Sequence, residues 1–310
     1  MSGTRPPEAA LGFLPLSGRR IVAVTGGDGV DYLQRMLTQD VAGLGVGYGA
    51  PACYLSVTGR ILAHMLVWNL GEGLLLDIAP GASPEALPAL ERYVIADDVT
   101  FEEVTERFRR FLLVGPSLDA VSACLHTQRA FALRQIETLE LGGASGSLLP
   151  LAFGRRVALH ALVAVGSAPA LDAALARVAT LWTQADLDRA RVEEGVPAAG
   201  AELDERILPN EAGLEDAISF AKGCFPGQEP VVMARDRGHP PTRLVRLALE
   251  TPVLPAVGAA LLDGARAVGR LTTVVAGPAG RGAALGFVRH ALARPGGRLE
   301  VAGGGTATVQ

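Results

Sequence analysis

The chain has 310 residues, a length that usually divides into two or three compact domains. Its 28 Lys and Arg residues oppose 32 Asp and Glu residues, so a formal charge of −4 provides no overall attraction to nucleic acid or an anionic membrane. Its three cysteines are odd in number and widely spaced, which argues against a disulfide framework and favours a reducing cytoplasm.

The first half of the chain alternates short apolar runs with turn residues. We predict, in chain order, a strand at 21–25, a helix at 29–37, strands at 52–57, 61–70 and 73–78, a helix at 84–93, strands at 100–104 and 111–114, and a helix at 117–125. Asp28 and Ser83 are the expected N-caps of the first two helices. Strands in this order with few helices predict an α+β unit built on an antiparallel sheet.

The second half changes character at Pro240-Pro241, which we interpret as a domain boundary. Before it, strands at 148–153 and 158–165 and helices at 168–182 and 186–192 are predicted, followed by a loop-like stretch at 202–214. After it, short strands separated by Gly and Pro predict a small all-β barrel or sandwich.

The segment Lys222-Gly223-Cys224-Phe225-Pro226-Gly227-Gln228-Glu229 concentrates unusual chemistry in one short stretch. The glycines allow a loop that exposes a thiol, and a cation two residues away would favour its thiolate. Lys222 is also the only lysine in the chain, in a composition that otherwise uses arginine. The alternative is a structural turn around an inert buried cysteine, which is the usual role of a free cysteine.

This segment resembles the signature K-G-C-[FY]-x-G-Q-E of the YgfZ proteins, a branch of the glycine-cleavage T-protein superfamily. The run Arg191-Val192-Glu193-Glu194-Gly195-Val196-Pro197 resembles the family's Arg-x-Glu-x-Gly-x-Pro run, and Gly59-Arg60-Ile61-Leu62 follows the N-terminal pattern. The resemblance covers nearly the whole chain.

The resemblance implies a multidomain α+β fold, a T-protein-like ring of two α/β lobes plus a small C-terminal β-barrel. Residues 1–48 and 128–240 would form a folate-binding lobe that carries the KGCxxGQE loop, residues 49–127 a ferredoxin-like α+β lobe, and residues 241–310 the barrel. It also implies binding of tetrahydrofolate or another reduced folate, and a role in assembling or repairing iron–sulfur enzymes, including those that modify tRNA.

The resemblance also assigns residues to roles. Cys224 and Lys222 are the expected catalytic pair, within a motif loop completed by Gly223, Phe225, Gly227, Gln228 and Glu229. Glu193 is expected to hold the pterin by accepting from ring N–H donors, with Arg191 as its neighbour and Arg243 as a further folate contact.

Two departures from the family pattern bear on function. His64 stands where the T-protein uses an aspartate to assist methylene transfer, which disfavours aminomethyl transfer, although an imidazole can act as a base. Arg19 and Leu187 stand near positions where some members stack a tryptophan on the folate, and Trp182 is the available substitute.

Three functions therefore stay open. The first is a folate-binding accessory factor for iron–sulfur proteins with Cys224 as a functional thiol. The second is a tetrahydrofolate-dependent aminomethyltransferase or demethylase-like enzyme, and the third is a scaffold that no longer binds folate.

Scattered histidines predict no metal site, and the absence of an apolar run of about 18 residues predicts no membrane span. The expected partners are a reduced folate and iron–sulfur clients or assembly factors in the cytoplasm, without direct nucleic-acid binding.

Overall fold

A computed structural model describes residues 11–127, 130–236, 238–251, 253–277 and 281–310; residues 1–10 of the predicted first lobe lie outside this part. The helices are α1 Gly29–Met36, α2 Ala86–Arg92, α3 Leu118–Cys124, α4 Ala168–Val178, α5 Gln184–Glu194 and α6 Gln228–Asp236. The strands are β1 Gly12–Leu16, β2 Arg20–Thr25, β3 Tyr48–Leu55, β4 Ile61–Asn69, β5 Leu74–Ile78, β6 Thr100–Glu103, β7 Phe108–Gly115, β8 Glu137–Leu141, β9 Ala144–Phe153, β10 Arg156–Ala164, β11 Thr180–Leu181, β12 Thr242–Glu250, β13 Ala260–Asp263, β14 Arg266–Ala276, β15 Gly282–Arg289, β16 Arg298–Val301 and β17 Thr306–Val309.

The five-stranded sheet has the order β3-β4-β5-β2-β6, and its described pairs are antiparallel. Successive side chains of a strand point to opposite faces, so each strand divides its residues between two surroundings. The outer face of this sheet packs against α1 and α2 in one apolar core. The other face, which we call its inner face, presents Ile21, Leu66 and Trp68.

The six-stranded sheet has the order β11-β1-β7-β10-β9-β8, with one parallel pair between β1 and β11. Its outer face packs against α3 and α4. Its inner face meets the inner face of the five-stranded sheet through Leu149, Leu151 and Leu162. The two sheets therefore stack with their inner faces opposed.

Helix α5 covers another part of the inner face of the six-stranded sheet. A capping box between Thr183 and Asp186 starts the helix, and Gly195 ends it in the left-handed conformation at φ 76°. Leu187 and Ala190 of α5 pack with residues of β7 and β10.

Strands β12 to β17 close into a barrel in the order β12-β15-β14-β13-β16-β17, with its own apolar core. The prediction of a small C-terminal β-barrel is confirmed. The α+β class is also confirmed, with strands outnumbering helices in the described residues.

Contacts among these parts form a closed circuit. The five-stranded sheet packs on the six-stranded sheet, and its strands β3 and β4 also pack against residues 203–231. That segment contacts the barrel at Phe287, the barrel contacts α5 through Thr273, and α5 returns to the six-stranded sheet. The ring-like arrangement expected from the resemblance thus has a physical basis in this circuit.

Several local expectations need adjustment. The Asp28 side chain accepts from Asp98 N instead of capping α1, and α2 begins after Glu85 rather than at a Ser83 cap. The predicted helix at 168–182 ends at Val178 because β11 follows it, and α6 was not predicted at all. Two strands also cross the predicted domain division, because β2 joins the five-stranded sheet and β7 joins the six-stranded sheet.

Candidate functional site

The segment Lys222–Glu229 forms an exposed loop anchored by one buried ring. Phe225 is 6% exposed and packs among residues of β3 and β4, including Cys53 and Leu55. Gly223 and Cys224 face solvent on the opposite side. Gln228 and Glu229, predicted as loop residues, form the first turn of α6. The thiol is therefore presented at the surface and is not packed in the core.

Gly227 fixes this loop against the turn between β3 and β4. Its φ of +72° lies in the left-handed region, and a Cβ built on it would lie 2.2 Å from Ser56 O and 2.9 Å from Gly59 Cα. Gly59 approaches the same contact from the other side with φ +76°. Only glycine permits both this conformation and this backbone approach.

Lys222 binds the end of α1 rather than the thiol. Its Nζ donates to Gln34 O, to Leu37 O at 2.6 Å and to Gln39 O at 3.0 Å, carbonyls that the helix leaves without intrahelical partners or that follow it. Burial lowers the pKa of the Lys222 ammonium to about 8. These three acceptors are the hydrogen-bond partners of Lys222 in the described chain, so the expected activation of Cys224 by this amine has no direct contact to support it.

Arg191 lies in a buried ion-pair network that joins α5 to the barrel. It is 5% exposed, and its Nη1 donates to Glu202 Oε2 at 2.9 Å while its Nη2 donates to Asp188 Oδ1 at 2.7 Å. Glu202 is fully buried and also accepts from Thr273 Oγ1 at 2.6 Å and from Ala198 N at 2.9 Å. The contacts of Arg191 are those of a structural residue.

Glu193 keeps a side chain that a ligand can reach. Its carboxylate is 30% exposed, and Arg156 Nη2 lies 3.9 Å from Oε2. Its main-chain carbonyl accepts from Arg246 Nη1 at 2.7 Å, which ties this end of α5 to β12. The adjacent Glu194 is instead buried against Arg155 and Arg156.

Arg243 lies apart from the motif loop, at an open cleft on the barrel of about 420 Å³. The cleft is also lined by Arg294 and by His239 and His290, whose rings stack with centroids 4.2 Å apart. No residue of Lys222–Glu229 lines this cleft, so Arg243 and the motif loop do not meet there.

A polar cluster lies between the two sheets, and we call its members Arg19, His64, Asp77, Arg110 and His160 the inter-sheet cluster. Asp77, Arg110 and His160 were not among the residues predicted from the sequence. Asp77 is fully buried, Arg110 is 4% exposed, and Arg110 Nη2 lies 2.5 Å from Asp77 Oδ2. Arg19 Nε pairs with Asp77 Oδ1, and Arg19 Nη2 donates to Asp77 O at 2.9 Å. One carboxylate thus serves two cations.

The two histidines of the cluster stay neutral. Burial, and then Arg19, lowers the pKa of His64 to about 4. Burial, and then the nearby Arg110, lowers the pKa of His160 well below its usual value. His64, the residue at the expected methylene-transfer position, is therefore uncharged at neutral pH and has a guanidinium as its neighbour.

A signal for this cluster was present in the sequence. Asp77 interrupts the run Leu-Leu-Leu-Asp-Ile of β5, and Arg110 directly precedes the apolar half of β7. A charged residue at a core-facing position of an apolar strand requires a buried partner. The identity of that partner could not be read from spacing, since Asp77 and Arg110 lie in different strands of different sheets.

The expected aromatic substitute for folate stacking is a core residue. Trp182 is 7% exposed and packs with Leu187 on the inner face of the six-stranded sheet. A Cβ added to Gly12 would lie 2.0 Å from the Trp182 ring, so β1 passes directly against the indole.

The described ranges are the part of the chain in which a metal site or a membrane span can be recognised. They contain no group of three or more His, Cys, Asp or Glu side chains placed to hold a metal ion. No helix within them is both long enough and apolar enough to span a bilayer.

Comparisons with known proteins agree on one family. The model of the GCVT N-terminal domain matches residues 9–222. The tRNA-modifying protein YgfZ of Yersinia pestis is 27% identical over 270 residues, which is 82% of this chain and 77% of that protein. A chloroplast protein of Arabidopsis thaliana is 24% identical over 290 residues, covering 90% of this chain and 66% of that protein.

A solved structure has the same fold. The glycine cleavage system aminomethyltransferase T from Bartonella henselae superposes with a TM-score of 0.81 over 97% of this chain and 85% of that chain, at 22% sequence identity. The match includes both sheets and the barrel, and it establishes the architecture.

Proposed function

The chain belongs to the GCVT family, and from this membership we propose that it binds tetrahydrofolate, or another reduced folate, between the inner faces of its two sheets. The observation that carries the proposal is the closed circuit of contacts, in which the inner faces of the two sheets oppose each other. Polar groups of both sheets, such as Asp77 and Arg110, meet between these faces and are not buried in separate cores.

The residues present fit a reduced folate in chemical type. Leu14 and Leu16 are partly buried on the inner face, next to α5, and provide apolar surface for an aromatic ring system. The partly exposed Glu193 carboxylate can accept from the N–H donors of a pterin. A bound reduced folate supplies a carrier for one-carbon groups, whereas this chain's residues bind and orient it.

We favour an accessory role in iron–sulfur cluster assembly or repair over aminomethyl transfer. Transfer of an aminomethyl group passes through cationic nitrogen and carbon centres, which a carboxylate stabilises and a nearby cation destabilises. At the corresponding position this chain has the neutral His64, beside Arg19. The charge at this site therefore opposes the chemistry of the second candidate function.

The exposed Cys224 thiol is the group we assign to the encounter with an iron–sulfur client. It lies on a loop that Phe225 and Gly227 hold against the protein, so the thiol is exposed to solvent while its backbone stays in a fixed position. One thiol cannot hold a cluster alone, and the client or an assembly factor supplies the remaining ligands. The Yersinia relative is named a tRNA-modifying protein, which agrees with clients among tRNA-modifying enzymes.

The ligand is tested by anaerobic calorimetric titration of tetrahydrofolate into the purified protein. We expect saturable binding that Glu193→Ala weakens roughly tenfold, in line with the loss of a charge-assisted hydrogen bond. Glu215→Ala, at an exposed residue outside the inner faces, is the matched control and keeps the wild-type affinity. Absence of any tetrahydrofolate binding by the wild-type protein would refute the proposal.

The role of the thiol is tested separately in cells that lack their own YgfZ-type protein. We expect Cys224→Ala to fold normally but to lose support of an iron–sulfur tRNA-modifying enzyme, measured as the level of the modified nucleoside. Cys124→Ala removes a less exposed thiol and serves as the control. Full complementation by Cys224→Ala would remove the thiol from the function.

A further inference from the structure

The inter-sheet cluster carries an uncompensated positive charge. Arg19 and Arg110 contribute two cations, Asp77 contributes one anion, and His64 and His160 are neutral. The charged groups that act on Arg110 are Asp77 and Arg19, and those that act on His160 are Arg110 and Arg19. A net charge of about +1 at a buried position is costly unless an anion offsets it.

The cluster also has donors that the described protein does not use. Arg110 is held by Asp77 through Nη2 and by the face of the Trp68 ring, whose centroid lies 4.9 Å from its guanidinium carbon. Its Nε, Nη1 and Nη2 are all buried and make no hydrogen bond with the described residues, because Nη2 and Asp77 Oδ2 meet as an ion pair without hydrogen-bond geometry. The same holds for Nδ1 of His160. Buried donors without acceptors are rare in folded proteins.

The position of these donors is fixed by the sheets. Arg110 lies on β7 between Leu16 of β1 and Leu162 of β10, and His160 lies on β10 opposite Leu112. Both side chains therefore project from the same inner face toward the five-stranded sheet. As a whole residue His160 is less buried than Arg110, although its Nδ1 is buried, so this corner of the cluster lies nearer to solvent than Arg110 does.

We propose that the inter-sheet cluster is a carboxylate-binding site in which Arg110 is the principal anchor and the imidazole of His160 is a second donor. A carboxylate accepts several hydrogen bonds and carries the single negative charge that the cluster lacks. Arg19 stays paired with Asp77 and holds the second cation of the site in place.

The carboxylate has two possible sources. It belongs either to the glutamyl part of a reduced folate or to a separate small amino acid bound beside the folate. The first source rests on the proposed function, and the second does not. Both make the same prediction for Arg110, and different probes separate them.

The test titrates three probes into the wild-type protein and into Arg110→Met. The probes are tetrahydrofolate, 6-methyltetrahydropterin, which lacks the glutamyl carboxylates, and glycine. Arg109→Met is the matched control, because Arg109 lies next to Arg110 on β7 but faces solvent. Thermal melting of each variant confirms folding, and we expect Arg110→Met to be at least as stable as wild type because it removes the excess buried cation while Asp77 keeps Arg19.

If the folate supplies the carboxylate, Arg110→Met weakens tetrahydrofolate binding by roughly tenfold or more and leaves 6-methyltetrahydropterin unchanged. If a separate amino acid supplies it, Arg110→Met abolishes glycine binding and leaves tetrahydrofolate unchanged. Glycine binding that depends on Arg110, in a protein that binds no tetrahydrofolate, supports the carboxylate site and refutes the proposed function.

Equal affinity of the wild type and Arg110→Met for every probe that binds overturns the carboxylate site, even if tetrahydrofolate binds and the proposed function stands. Binding of none of the three probes overturns both. Should Arg110→Met fail to fold, His160→Leu provides the same comparison, with an expected loss of roughly fivefold for the carboxylate-bearing probe. Unchanged affinity of a folded His160→Leu then counts against the site.

Discussion

Replacement of Arg191 by Met distinguishes a ligand-binding residue from a structural one. The substitution removes the guanidinium that donates to Glu202 at 2.9 Å, and Glu202 is fully buried. Among the described residues its carboxylate would keep the donors Ala198 N and Thr273 Oγ1 and would lose its ion-pair partner. Removing one partner of a buried ion pair costs about 3–5 kcal/mol.

This cost is measurable as a shift in thermal unfolding. For a chain of this size each kcal/mol shifts the melting temperature by about 2–4 °C, so we expect a decrease on the order of 10 °C for Arg191→Met. Arg189→Met, on the same helix, is the control: Arg189 is partly exposed and pairs with Asp186 at 3.6 Å, so its loss costs less than about 1 kcal/mol.

A double variant tests the origin of the effect. Arg191→Met combined with Glu202→Leu removes both charges, and we expect it to recover most of the stability lost in Arg191→Met alone, because the penalty comes from the stranded carboxylate. The opposite pattern would refute this reasoning: a melting temperature of Arg191→Met equal to that of wild type, together with loss of tetrahydrofolate binding. Arg191 would then be a folate ligand, as its position beside Glu193 suggested from the sequence.

The motif loop yields three further expectations. Lys222→Met lowers the free energy of unfolding by about 2–4 kcal/mol, because three carbonyls at and just after the end of α1 lose a charged donor. Lys222→Arg recovers only part of this loss, because a planar guanidinium cannot meet three converging acceptors with one nitrogen. Urea unfolding measures the stability of both variants. Gly227→Ala costs more than about 2 kcal/mol because its Cβ would collide with Ser56 O, whereas Gly223→Ala, with open space around it, changes stability by less than about 0.5 kcal/mol. Cys224→Ala leaves the melting temperature within about 2 °C of wild type because the side chain is exposed.

Elements that depend on local signals were predictable. The strand prediction at 61–70 corresponds to Ile61–Asn69, and that at 73–78 corresponds to Leu74–Ile78, because apolar runs and glycine turns define both ends. Helix α6 was missed because Gln228-Glu229-Pro230 has the composition of a loop, although proline is tolerated in the first turn of a helix.

The candidate site was predictable only where chemistry and motif coincide in the chain. The exposed thiol of Cys224 and the glycine hinge at Gly227 are local features of one segment. The partners of Lys222 are between 183 and 188 residues away, and the ion pair of Asp77 with Arg110 joins two sheets. Such contacts follow from the order of strands and the stacking of sheets, which residue spacing does not encode.

The circuit of contacts described above has a consequence for biosynthesis. Its closing link, from α5 to Thr273, spans 82 residues and depends on β14, which is synthesised late in the chain. Domains fold largely as they emerge from the ribosome, so the two sheets can form while the barrel is still absent. During that interval Arg191 and Glu202, which the mature protein buries against Thr273, lack this contact with the barrel, so the end of α5 is held less firmly until β14 has been made.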